Sequence, residues 1–61
     1  MTQERETIFE FVRVGGAVKV VAVDPESGLE VTIIGDPAAG EAELKRLARQ
    51  KLDYVRAKGK G

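Results

Sequence analysis

The sequence predicts an α+β domain, a three-stranded antiparallel β-meander with one C-terminal α-helix packed on one face. Three observations carry this. The stretch Ile8 to Gly35 holds three runs rich in Val, Ile and Phe. Two compact turn signals, Gly15-Gly16 and Asp24-Pro25-Glu26-Ser27-Gly28, separate those runs. Beyond Gly35-Asp36-Pro37 the apolar spacing changes from a period of two to a helical period.

The first strand is expected over Thr7–Val14. Gly15-Gly16 reads as a two-residue hairpin loop with positive φ at both glycines, the requirement of a type I′ turn. Setting Val14 opposite Ala17 then pairs Phe11 with Val20 and Phe9 with Ala22. The second strand is expected over Ala17–Asp24. In the second turn Pro25 presets φ and Gly28 takes the left-handed position. With Asp24 opposite Leu29, Ala22 meets Val31 and Val20 meets Ile33 on a third strand, Leu29–Ile34.

Because side chains alternate along a strand, this register sorts them onto two faces. Phe9, Phe11, Val18, Val20, Ala22, Leu29, Val31 and Ile33 form the core face, with Arg13 near its hairpin end and Phe11 expected among the most buried residues. Ile8, Val12, Val14, Val21, Val23 and Ile34, interleaved with Glu10, Lys19, Glu30 and Thr32, form the second face. It is too apolar for an ordinary wet surface.

Asp36 reads as a helix N-cap and Pro37 as a first helical residue. Gly40 weakens that turn, so the continuous helix is expected to start nearer Glu41. Leu44, Leu47, Ala48, Leu52 and Val55 form its apolar stripe. Gly59 is expected to stop it, leaving Lys58-Gly59-Lys60-Gly61 as a loose basic tail, and residues 1–6 are expected to fray.

The 61 residues are enough for one domain, and a chain this short buries only about 60% of its unfolded surface. Disulfides and thiolate zinc sites are excluded because there is no Cys. No His is present either, which removes the commonest general base and metal ligand. Self-association is the remaining source of extra stability. The polar start lacks the apolar core of a signal peptide, and no apolar run approaches the roughly 20 residues that span a bilayer. A cytoplasmic protein without membrane contact is the expectation.

Net charge is zero but unevenly placed. Residues 1–36 carry three basic and seven acidic side chains, whereas residues 37–61 carry seven basic and three acidic. Such a dipolar chain suits pairing with itself or contact with an anionic partner.

Catalytic candidates are few. Ser27 stands in a turn beside Glu26 without a base, and turn hydrogen bonding explains it better than nucleophilic attack. Glu10 and Glu30 lie on outer strands with Val21 and Val23 between them, so they read as solvated sheet charges rather than an acid/base pair. Gly15-Gly16 joins two strands and lacks the following helix of a phosphate loop. The Asp24–Gly28 turn lacks the alternating acids of a calcium loop. No enzyme activity, cofactor, metal or small-molecule substrate is expected.

Two surfaces remain. Ile8, Glu10, Val12, Lys19, Val21, Val23, Thr32 and Ile34 form a candidate protein interface, for a homodimer or a subunit of a larger assembly. Lys19, Lys45, Arg46, Arg49, Arg56, Lys58 and Lys60 form the alternative, a nucleic-acid-binding surface with Tyr54 as its one aromatic. Glu10 and Glu30 would repel phosphate from the sheet, so nucleic acid is the less favoured partner.

The segments FVRVGG and AVDP-x-SG-x-E, and the GDP–helix junction, resemble a family of short uncharacterised bacterial proteins known as a domain of unknown function. The resemblance covers nearly the whole chain. It implies a small standalone β-β-β-α protein, and no activity or functional residue follows from it.

Overall fold

A computed structural model describes residues 6–60. The elements run β1 (Ile8–Val14), β2 (Ala17–Val23), β3 (Glu30–Gly35), a single 3₁₀ turn (Pro37–Ala39) and α1 (Glu41–Lys60). The three strands form one antiparallel sheet in the order β1-β2-β3, with α1 on one side. The expected α+β meander is therefore present.

Both registers follow the sequence reading. Phe11 pairs with Val20, Phe9 with Ala22 and Val14 with Ala17, while Val20 pairs with Ile33 and Ala22 with Val31. The strand ends differ by a residue. Asp24 and Leu29 close the second turn, Asp24 N–H donating to the Leu29 carbonyl at 2.8 Å, and both sit just outside the strands they flank.

The first turn corrects one expectation. Gly15 has φ 61°, but Gly16 is not in the positive-φ region. One left-handed glycine at the first central position belongs to a type II′ turn, which matches strand twist as well as type I′ does.

Val20, Ala22, Val31, Leu44, Ala48 and Leu52 are buried together as the core. Phe11 is only half-buried at its margin, and Leu47 is exposed. Both corrections have one cause. α1 packs over β2 and β3 and lies to the side of β1, so the core faces of Phe9 and Phe11 protrude from beneath it. The helix presents Leu44, Ala48 and Leu52, a narrow stripe at spacings of four that leaves Leu47 outside. Gly35 allows the close approach on the other flank, since a Cβ there would overlap the Leu44 side chain.

Asp36 caps the 3₁₀ turn, its carboxylate accepting from Ala38 N–H at 3.0 Å. α1 starts at Glu41 as expected, with Leu44 N–H donating to the Gly40 carbonyl at 3.1 Å. At its other end the helix runs through Gly59 to Lys60, so Gly59 does not stop it. A terminal glycine costs about 1 kcal/mol in helix propensity, and an already propagated helix tolerates that. Of the residues expected to be loose, 1–5 and Gly61 lie outside the described residues, and Lys58-Gly59-Lys60 belong to α1.

Candidate interaction surface

The second face of the sheet consists of three rows set by strand pairing: Ile8–Val23–Glu30, Glu10–Val21–Thr32 and Val12–Lys19–Ile34. α1 covers the opposite side, so this face has no roof among the described residues. Its outer-strand hydrophobics are open, with Ile8 50%, Val12 38% and Ile34 65% exposed. Val14, at the hairpin end of the same face, is 52% exposed. Lys19, Val21 and Val23 on the central strand are half-buried by their neighbours. Lys19, Glu10 and Glu30 make no ion pair among the described residues.

The seven basic candidates do not form one surface. Lys19 lies on the second face and the rest on α1. Arg46 is held by Glu43, with Nη2 2.7 Å from Oε2 and Nε 3.3 Å from Oε1. Through those hydrogen bonds and its charge, Arg46 keeps the Glu43 carboxyl below its ordinary value of 4.5. Arg56 is bound to Asp53 at 2.8 Å and to Asp24 at 3.1 Å. Lys45 and Arg49 converge on the Phe9 ring, at 5.6 and 5.8 Å from its centroid. Their positions, four residues apart on the helix flank facing β1, bring this about. Phe9 is thus an aromatic among the bases that the sequence reading had assigned wholly to the core. Lys58 lies over Tyr54 at 5.6 Å, and the Lys60 side chain lies outside what is described.

An ionic cluster at the second turn was not foreseen. Asp24 is 2% exposed. Its carboxylate accepts from Glu26 N–H at 3.1 Å, from the Ser27 hydroxyl at 3.2 Å and from Arg56 Nη2 at 3.1 Å. Two sequence signals pointed to it. Asp24 continues the core-facing alternation of Val18, Val20 and Ala22, and Arg56 continues the Leu44–Ala48–Leu52 spacing. An open groove of about 520 Å³ runs between this turn and Val55–Arg56. The Ser27 hydroxyl is engaged on both sides, donating to Asp24 and accepting from Leu29 N–H at 3.2 Å, as a turn role requires.

Glu10 and Glu30 stand on opposite outer strands with Val21 and Val23 of β2 between them, the arrangement of separate solvated charges. No group of three metal-ligating side chains occurs among the described residues. Among the described residues no helix is long and apolar enough to cross a membrane.

Neither curated proteins nor solved structures yield a match. The family model of the domain of unknown function DUF6898 matches residues 4–59, and the chain belongs to that family.

Proposed function

We propose that this is a non-enzymatic interaction protein that pairs with a second copy of itself through the uncovered face of its sheet. The observation that carries the reading is the exposure of Ile8, Val12, Val14 and Ile34 on one continuous face. Contiguous apolar surface of that kind usually marks an interface on a soluble chain.

The charges favour a copy of the same chain as the occupant. A twofold axis parallel to the sheet and about 5 Å outside its second face, running across the strands level with the row Phe11–Val20–Ile33, sets each strand over its own counterpart. Lys19 then falls on Val21 of the second copy, beside that copy's Glu10, and the same pair recurs by symmetry. Ile8 falls on Val14, and the one like-charge meeting, Glu30 with Asp36 of the second copy, lies at the exposed rim, where salt screens it. The product is two sheets packed about 10 Å apart with both helices outside.

Three strands about 4.8 Å apart and seven residues at about 3.4 Å give a flat footprint of roughly 24 by 14 Å. At about 340 Å² per copy that is below the range of standard specific interfaces, so the pairing is a weak one that needs at least micromolar protein to form. Sedimentation at tens of micromolar tests it. The expected result is a concentration-dependent dimer that Val21→Asp abolishes without unfolding the chain. A wild type that stays monomeric, with Val21→Asp of unchanged stability, would end the reading.

Lys45 and Arg49 around Phe9 support a second reading, a nucleic-acid-binding module. Arg46 and Arg56 are committed to carboxylates, which leaves few cations for a phosphate backbone. Duplex DNA and RNA should therefore bind no more tightly than the non-specific range of about 10⁻⁴–10⁻⁶ M at physiological salt. Tighter, sequence-dependent binding with shifts at Lys45 and Arg49 would favour this second reading.

A further inference from the structure

Strands β1 and β3 are both edges of the sheet, but they are not equivalent. In a hairpin with a two-residue loop the pair flanking the loop is hydrogen-bonded, and bonding then alternates along the ladder. Val14 and Ala17 are that pair, so Val14, Val12, Glu10 and Ile8 bond to β2. The N–H and C=O groups of Phe9, Phe11 and Arg13 therefore point away from the sheet. The same alternation turns Leu29, Val31 and Ile33 toward β2, and Glu30, Thr32 and Ile34 outward. Two contacts agree with it. Asp24 N–H bonds the Leu29 carbonyl on the inner side, and Lys51 Nζ donates to the Thr32 carbonyl on the outer side at 3.0 Å.

Lys51 thus occupies the middle of the β3 edge, a common way of blocking strand addition. On β1 no side chain among the described residues takes an outward backbone group. The displacement of α1 toward β3 also leaves Phe9 and Phe11 half-buried along this open edge.

We infer that β1 receives β1 of a second copy, antiparallel, about a twofold axis perpendicular to the sheet beside Phe11. The two sheets then join into one of six strands. Ile8–Val14 is centred on Phe11, so the strand matches itself from end to end. Phe11 meets Phe11 of the second copy, Phe9 meets Arg13, Ile8 meets Val14 and Glu10 meets Val12. The outward groups are those that meet, which gives up to about six ladder hydrogen bonds.

Other registers do worse. A shift that moves the axis to Glu10 opposes two carboxylates, and the opposite shift sets Phe9 against Gly15. Any odd offset would put outward groups against inward ones. The cost of the chosen register is that Arg13 of the second copy joins Lys45 and Arg49 near Phe9. These cations are exposed, and salt screens them over roughly 8–10 Å. The pairing does not depend on the face-to-face contact. Its axis meets the other along the Phe11 row, so both fit in one closed group of four.

Amide hydrogen exchange on the full chain, read by NMR at about 50 µM and about 1 mM, tests the edge. Phe9, Phe11 and Arg13 amides should slow about tenfold or more with concentration, while those of Glu30, Thr32 and Ile34 should not respond. Arg13→Pro removes one outward donor and leaves the β1–β2 ladder intact. It should abolish the slowing while Glu10 and Val12 stay protected. Val21→Asp should leave the slowing in place. Concentration-independent exchange at Phe9, Phe11 and Arg13 would overturn the inference. So would a response at the β3 amides, unchanged slowing in Arg13→Pro, or loss of slowing in Val21→Asp.

Discussion

Arg56 in the last turns of α1 places Nη2 3.1 Å from Oδ2 of Asp24 at the end of β2, joining residues 32 apart in the chain. Asp24 is almost fully buried, whereas the Arg56 side chain is 29% exposed. The pair fixes the far end of the helix to the second turn, beyond the reach of the Leu44–Ala48–Leu52 stripe.

Removing the guanidinium leaves a buried carboxylate with less compensation. Arg56→Met should destabilise the fold by about 1.5–3 kcal/mol, the range for hydrogen bonds to charged groups. Chemical denaturation at neutral pH of Arg56→Met, Asp24→Asn and the double variant would measure this. The double variant should lose clearly less than the sum of the two single losses. Simple additivity would mean that the two side chains do not support each other.

The position of the helix ranks the core. Leu52 is fully buried, and Leu52→Ala should cost about 2–5 kcal/mol. Phe11 keeps part of its ring in water, and Phe11→Ala should cost about 2 kcal/mol. Melting of the two variants at low concentration, where no edge pairing contributes, decides the order. A larger loss at Phe11 would place the helix nearer β1.

The first turn gives a sharp contrast between adjacent residues. Gly15→Ala forces an L side chain into the left-handed region, at about 1–2 kcal/mol. Gly16 is outside that region, and nothing lies within 4 Å of a Cβ built there. Gly16→Ala should therefore be close to neutral. Equal losses in thermal unfolding would restore the type I′ turn.

Both registers were legible in the sequence because local chemistry sets them. A two-residue loop fixes which residues oppose, and every later pair follows by alternation. The lateral placement of α1 was not legible. A stripe containing Leu44, Leu47, Ala48 and Leu52 accepts more than one rotation of the helix, and the choice rests on contacts distant in sequence, among them Gly35 with Leu44 and Arg56 with Asp24. The shift of Phe9 and Phe11 to the margin follows from that choice. Asp-Pro-Glu-Ser-Gly is strong turn chemistry, and that signal masks the place of Asp24 in the core-facing alternation. The second face was legible from the register alone, since one helix covers only one side of a sheet.

The contact between Lys51 and the Thr32 carbonyl has a consequence for solubility. A strand ladder open at both margins has no natural end, and each molecule added exposes the next template, the route by which sheets grow into fibres. With one margin held by a lysine, addition along the hydrogen-bonding direction terminates after a single step. Lys51→Ala, which removes no part of the core, would turn a self-limiting chain into one that can polymerise.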